Sequence, residues 1–265
     1  MKRSKFVVWS LVFAMGLLAA SLSWAEEGQE ADKPTANLNV SFFSQYIWRG
    51  YELSKDSLVI FPSLTVGYKG FALNVWVDFD THYKGTGTHQ LWETDWVLTY
   101  SNSWNILNFT FGWIFYDVDA SGQPLPGRGD TPVMTGQDAQ ELFLTLGADV
   151  LLSPTLSVYR EIQNGPAWYF KFDLSHSVEL QNGWSVDLGA WVSYNDNETA
   201  DYRSWHDGTV WAALNIPLNE YFTVRPTVNY TFPLSEGADD LLQATSFDGN
   251  DSQHVYGGII IDCSL

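Results

Sequence analysis

The chain has 265 residues, with 31 Asp and Glu against 13 Lys and Arg, and a formal net charge of −18. That balance argues against nucleic acid as a partner and against a polybasic membrane-surface role. A single cysteine, Cys263, excludes an internal disulfide framework.

At the N-terminus, Lys2, Arg3 and Lys5 precede an apolar run from Phe6 to Ala20, and Ser23-Trp24-Ala25 offers a small-x-small cleavage site. This pattern predicts a secretory signal peptide over 1–25, with an N-terminal anchor as the alternative. Three of the 13 basic residues lie in that segment and none of the 31 acidic ones, which leaves residues 26–265 at −21. No other run approaches the roughly 18 apolar residues that a spanning helix needs.

From there on, alternation with period two recurs along almost the whole chain. In the segment 71–80, Phe71, Leu73, Val75, Val77 and Phe79 oppose Ala72, Asn74, Trp76, Asp78 and Asp80. In 105–117, Leu107, Phe109, Phe111, Trp113 and Phe115 form the apolar side. Twelve segments read as strands, near 37–49, 57–68, 71–80, 92–101, 105–117, 139–152, 154–161, 167–180, 184–195, 208–216, 221–232 and 253–264. No helix-period segment of useful length competes with them.

The connections alternate long and short. The long ones are 50–57, 81–91, 118–138, 162–166, 196–207 and 233–253, and the short ones include Lys69-Gly70, Ser153-Pro154 and 217–220. Short turns on one side, longer loops on the other and an even strand number are the layout of an outer-membrane barrel. Tyr46, Trp48, Tyr68, Trp92, Tyr100, Trp113, Trp168, Trp184, Tyr194 and Phe222 sit where interfacial girdles belong. The competing fold is a soluble β-sandwich or lipocalin-like barrel with its apolar side inward. The export signal, strand count, loop asymmetry and aromatic-rich face favour the first. The expected fold is all-β, a transmembrane antiparallel β-barrel of about twelve strands occupying 26–265, in the cell outer membrane after export.

If the apolar face meets lipid, the polar face lines the lumen. That assigns Arg49, Asp78, Asp80, Glu93, Asp95, Glu141, Asp149, Lys171, Asp173, Asp187, Arg225 and Asp262 to the interior. An Arg or Lys at the lipid midplane would cost about 2–4 kcal/mol. Nine acidic against three basic groups is too unequal for complete pairing, which implies water inside. Twelve strands fall between the roughly eight that side chains fill and the 16–18 of wide channels. The expectation is a narrow, acidic-lined passive pore for small neutral or cationic solutes. Arg49 is expected at the external mouth, opposite Asp78 or Asp80. A structural ion-pair network is the competing role for Arg49, Lys171 and Arg225. Trp76, Tyr116, Trp191, Trp211 and Tyr256 point inward by register.

The remaining motifs carry little. Asp239-Asp240 and 248–251 lack calcium-loop spacing, and Arg128-Gly129-Asp130 is too short a signal in a Gly-rich loop. No metal-ligand spacing and no cofactor motif is present. Some outer-membrane barrels are lipid hydrolases with a His and a Ser, but His176 and Ser177 are adjacent and point to opposite faces of a strand. The other histidines, His82, His89, His206 and His254, fall in or beside long loops. A non-conducting structural or adhesive barrel is the second reading, and a lipid hydrolase the third. The expected partners are outer-membrane lipid and lipopolysaccharide, the outer-membrane assembly machinery and small solutes. Oligomeric state is left open.

Ser44, Tyr46, Arg49, Gly50 and Ser54, followed by Asp56, form an S-x-Y-x-x-R-G-x-x-x-S pattern. With Gly70–Trp76 and the acidic residues Glu93 and Glu141, this opening resembles the TorF-like family of outer-membrane porins. The resemblance covers the first third of the chain and the rest by layout, and it implies an outer-membrane porin barrel. Many such barrels end in an aromatic residue, whereas this chain ends in Leu265.

Overall fold

The structure is a computed structural model that describes residues 33–84, 87–118, 138–198 and 200–265. The expected signal peptide and the loop 119–137, with its Arg-Gly-Asp tripeptide, lie outside the described residues. Residues Thr35–Leu265 form one compact unit.

Among the described residues, twelve strands close into an antiparallel barrel. They are β1 (Thr35–Phe43), β4 (Val59–Tyr68), β5 (Phe71–Tyr83), β6 (Thr88–Trp104), β7 (Leu107–Val118) and β8 (Ala139–Ala148), then β9 (Thr155–Glu161), β10 (Ala167–Glu179), β11 (Ser185–Asn197), β12 (Tyr202–Pro217), β13 (Phe222–Pro233) and β14 (His254–Ser264). Two short strands, β2 (Ile47–Trp48) and β3 (Tyr51–Glu52), pair only with each other. An α-helix, α1 (Glu236–Thr245), precedes β14.

The register explains the closure. Across the β1–β14 seam, Leu38 faces Cys263, Val40 faces Ile261 and Phe42 faces Ile259, while Asn39 faces Asp262. Asn39 Nδ2 donates to Asp262 Oδ1 at 2.7 Å on the inner side. A one-residue slip would put every one of these side chains on the wrong face. Along β7 and β8 the apolar set Leu107, Phe109, Phe111, Leu142, Leu144 and Leu146 is exposed on the outside of the barrel. In a soluble protein that belt would be an aggregation surface; as a lipid face it is satisfied.

Three expectations about the elements need correction. The first strand stops at Phe43 rather than 49, because residues 44–58 turn inward. The expected loops 81–91 and 196–207 are mostly strand: β5 runs to Tyr83, β6 starts at Thr88, β11 runs to Asn197 and β12 starts at Tyr202. Their polar residues sit on strand ends that extend beyond the 9–11 residues needed to cross a bilayer. Finally, part of the loop 233–253 is helical. Ser235 caps α1, its Oγ accepting from the Ala238 amide at 3.1 Å, and Ala238, Leu242 and Thr245 face inward and are buried.

Candidate functional site: the lumen and its inserted segment

The segment 44–58 leaves the wall at the long-connection end and folds into the barrel as a hairpin. Trp48 pairs with Tyr51, so the turn is Arg49-Gly50, and both have positive φ, 49° and 80°. Two-residue turns of this kind need left-handed backbone at both positions, which is why glycine occupies one of them. Tyr46, Tyr51, Leu53, Val59, Phe61 and Leu242 pack into one buried cluster, with Phe43, Trp48, Trp76 and Leu241 against it. Phe61 stacks on Trp76 at 4.9 Å. A second cluster joins Tyr83, Trp92, Tyr116 and Val118, with Phe247 packed on it.

Tyr46, Trp48 and Trp92 are therefore not girdle residues. Tyr46 and Trp48 travel with the inserted segment. Trp92 sits at a register shift between β5 and β6, which turns its ring inward onto Tyr83 at 5.0 Å.

Arg49 is likewise not at the mouth opposite Asp78 and Asp80. Its guanidinium forms a two-pronged pair with Glu141, Nη1 to Oε1 at 2.8 Å and Nη2 to Oε2 at 2.7 Å. The two side chains retain 14% and 6% of their surface. The Arg49 Cζ also lies 4.4 Å from the Trp48 ring, 4.8 Å from Tyr159 and 4.2 Å from Tyr169. Such cation–aromatic contacts strengthen when desolvated.

The inserted segment also covers part of the acidic wall. Asp78, Asp80 and Glu93 are buried. The Tyr46 hydroxyl donates to Glu93 Oε2 at 3.0 Å, and Asp80 accepts from Ser57 Oγ at 3.0 Å and from the His82 amide at 2.8 Å. At the rim, Lys55 pairs with Asp248 at 2.7 Å, with Asp251 and with Glu52, while Lys84 pairs with Asp248 at 3.0 Å and Asp56 at 3.5 Å. Glu52 Oε2 accepts from the Phe247 amide. Burial pushes the Glu52 carboxyl above its ordinary value, and hydrogen bonds from Lys55 and Lys84 hold Asp248 below its own.

The other expected lumen charges differ in partners and exposure. Lys171 pairs with Asp173 at 2.9 Å, and Arg225 with Asp262 at 3.1 Å. Asp187 accepts from Asn215 Nδ2 at 2.7 Å. These groups are partly exposed: side-chain surface is 26% for Lys171, 24% for Asp173 and 37% for Arg225. Asp149 lies beyond the end of β8, exposed in a short turn, where it accepts from Asn108. Asp95 borders a cavity of about 310 Å³ together with Trp48, Arg49, Tyr116, Tyr159, Tyr169, Lys171, Trp191 and Asp207.

The sequence pattern places two residues of this region, His206 and Asp207, in a loop, whereas both lie on β12. Asp207 accepts from Tyr169 at 2.8 Å, Trp191 Nε1 at 3.2 Å and Ser193 Oγ at 2.6 Å. His206 is buried, with ring nitrogens bonded to the Tyr202 hydroxyl at 2.9 Å and the Arg49 carbonyl at 3.1 Å. The alternation Arg203, Trp205 against Tyr202, Ser204, His206 was the available signal. On β10, His176 faces Leu188 and Ser177 faces Asp187. No group of three metal-ligating side chains occurs among the described residues.

No family model and no curated protein matches the chain. Solved structures do. The fold is similar to that of the KdgM porin, with a TM-score of 0.52 at 12% identity over 86% of this chain and 99% of that one. The KdgM porin in complex with disordered oligogalacturonate gives 0.50 at 11% identity, covering 87% and 99%. The NanC porin gives 0.52 at 9% identity, covering 86% and 98%. At these identities the likeness is one of fold: among the described residues this chain is a closed twelve-stranded antiparallel barrel, similar in fold to those outer-membrane porins.

Proposed function

We propose that this barrel is a passive outer-membrane channel of the TorF-like kind, conducting small neutral or cationic solutes through a narrow acidic lumen. The observation that carries the reading is the partial exposure of Lys171, Asp173, Arg225 and Asp262 inside a closed wall whose outside is apolar. These charges keep accessible surface inside the wall, so the lumen has room for water beside them. The carboxylates outnumber the cations, and all three lumen cations found in the sequence are paired with acids. Such a lining favours cations over anions of the same size. The lipid-facing belt and the long-loop rim fit insertion by the outer-membrane assembly machinery into a membrane of lipid and lipopolysaccharide.

One observation favours a second reading, a barrel that does not conduct at rest: residues 44–58 fill part of the lumen at one end. Liposome swelling separates the two. Vesicles carrying the refolded protein are expected to swell faster in lysinamide than in an anionic solute of similar size. Swelling no faster than in protein-free vesicles would rule out the channel.

A further inference from the structure

Arg49 is held like a ligand rather than like a wall residue. It sits at the tip of an inserted hairpin, and the groups that grip it belong to the barrel. Tyr159 and Tyr169 are direct cross-strand partners on β9 and β10, and Glu141 lies on β8. Each of the three is anchored by something other than Arg49. The Tyr116 hydroxyl donates to Glu141 Oε2 at 2.9 Å. The Tyr169 hydroxyl donates to Asp207, which Trp191 and Ser193 hold in turn. Tyr159 stacks on Phe143 at 5.4 Å. A carboxylate and two aromatic faces fixed by their own neighbours form a preorganised receptor for a planar cation.

We propose that the barrel wall carries a guanidinium-binding cage, made by Glu141, Tyr159 and Tyr169, which Arg49 fills as a tethered ligand and which free guanidinium-bearing solutes compete to occupy. Guanidinium fits better than ammonium, because both carboxylate oxygens are engaged by a planar fork. The cavity of about 310 Å³ that borders Arg49, Tyr159 and Tyr169 gives such a solute a place beside the cage. A tethered ligand acts at an effective concentration on the order of millimolar, so a free competitor must approach that range.

The test is calorimetric titration of refolded protein in detergent micelles with ethylguanidinium, and with neutral N-ethylurea as its isostere. Binding in detergent does not require conduction, so this inference and the channel reading fail separately. Arg49→Ala is expected to bind ethylguanidinium saturably, at least tenfold more tightly than N-ethylurea and at least tenfold more tightly than the wild type does. Adding Glu141→Gln is expected to weaken it at least tenfold. Differences smaller than tenfold in any of these comparisons would overturn the cage. If Arg49→Ala does not run as a folded barrel on unboiled gels, Arg49→Gln, which keeps much of the side-chain length but removes the charge, serves instead. It must then bind ethylguanidinium at least tenfold more tightly than the wild type, and failure to do so would overturn the cage equally.

Discussion

Replacing Gly50 by Ala tests the docking of the inserted hairpin without altering any charge. Gly50 has φ +80°, and a Cβ there would lie 3.0 and 3.2 Å from the Leu242 methyls and 3.1 Å from Asp207 Cβ. Leu242 is buried in the cluster below the hairpin, and Asp207 is pinned by three donors. Neither neighbour gives way easily. Left-handed backbone costs a non-glycine residue about 1–2 kcal/mol. Overpacking adds about 1–3 kcal/mol. Alanine's lower entropy in the undocked segment returns about 0.4–1 kcal/mol. The net is roughly 1–4.6 kcal/mol against docking, or about a five- to two-thousandfold rise in the opening constant. Hydrogen exchange reads this directly at the Leu53 amide, which donates to the Tyr46 carbonyl at 2.8 Å inside the hairpin. Exchange at Leu53 is expected to accelerate by that factor, while the wall amide of Leu144 stays unchanged. Acceleration below about threefold would show that the hairpin is not held by this contact, and the docked arrangement around Arg49 would be wrong.

Further expectations follow from the same geometry. Ser235→Ala removes the cap of α1 and should cost about 1 kcal/mol of local helix stability, read as faster exchange at Leu242. Leu144→Arg places a charge in the middle of the outward belt, where Leu144 is 41% exposed, and should cost about 2–4 kcal/mol in denaturant unfolding from lipid. The rim should respond to pH in two opposite limbs. The docked Glu52 carboxyl titrates above its ordinary 4.5, so it binds its proton more tightly when docked and weakens docking as pH rises through that range. The docked Asp248 titrates below its ordinary 3.8, so its contribution is present above that value and is lost as pH falls through the lowered range. Exchange at Leu53 followed from pH 3 to 8 should lose only the upper limb in Glu52→Gln and only the lower limb in Asp248→Asn.

The barrel itself was legible because its signal is repeated. Twelve period-two segments, alternating connections and a broad apolar face all require the same closed sheet, and errors of a few residues at one strand do not change it. What was lost lay where period two hides something else. Tyr46, Trp48 and Arg49 keep the alternation of β1, so the chain reads as one long strand; the reversal is carried by Arg49-Gly50 alone, two residues with left-handed backbone between Trp48 and Tyr51. The partner of Arg49 could not be read, because Glu141 is 92 residues away and the hairpin's depth decides which carboxylate it meets. Helix α1 did leave a trace, Ser235 ahead of an acidic first turn and then Ala238, Leu241, Leu242 and Thr245 at helical spacing. The Gly and Asp content of the segment obscured it. The pattern puts His206 and Asp207 in a loop because polar residues crowd the first part of β12, although the strand runs through them from Tyr202.

The most direct test of the central claim is single-channel recording in planar bilayers, with the refolded barrel first shown to migrate as heat-modifiable protein. Discrete conductance steps are expected, with a reversal potential in a potassium chloride gradient that marks potassium as the more permeant ion. Folded barrel that gives no steps, or steps that favour chloride, would contradict the account.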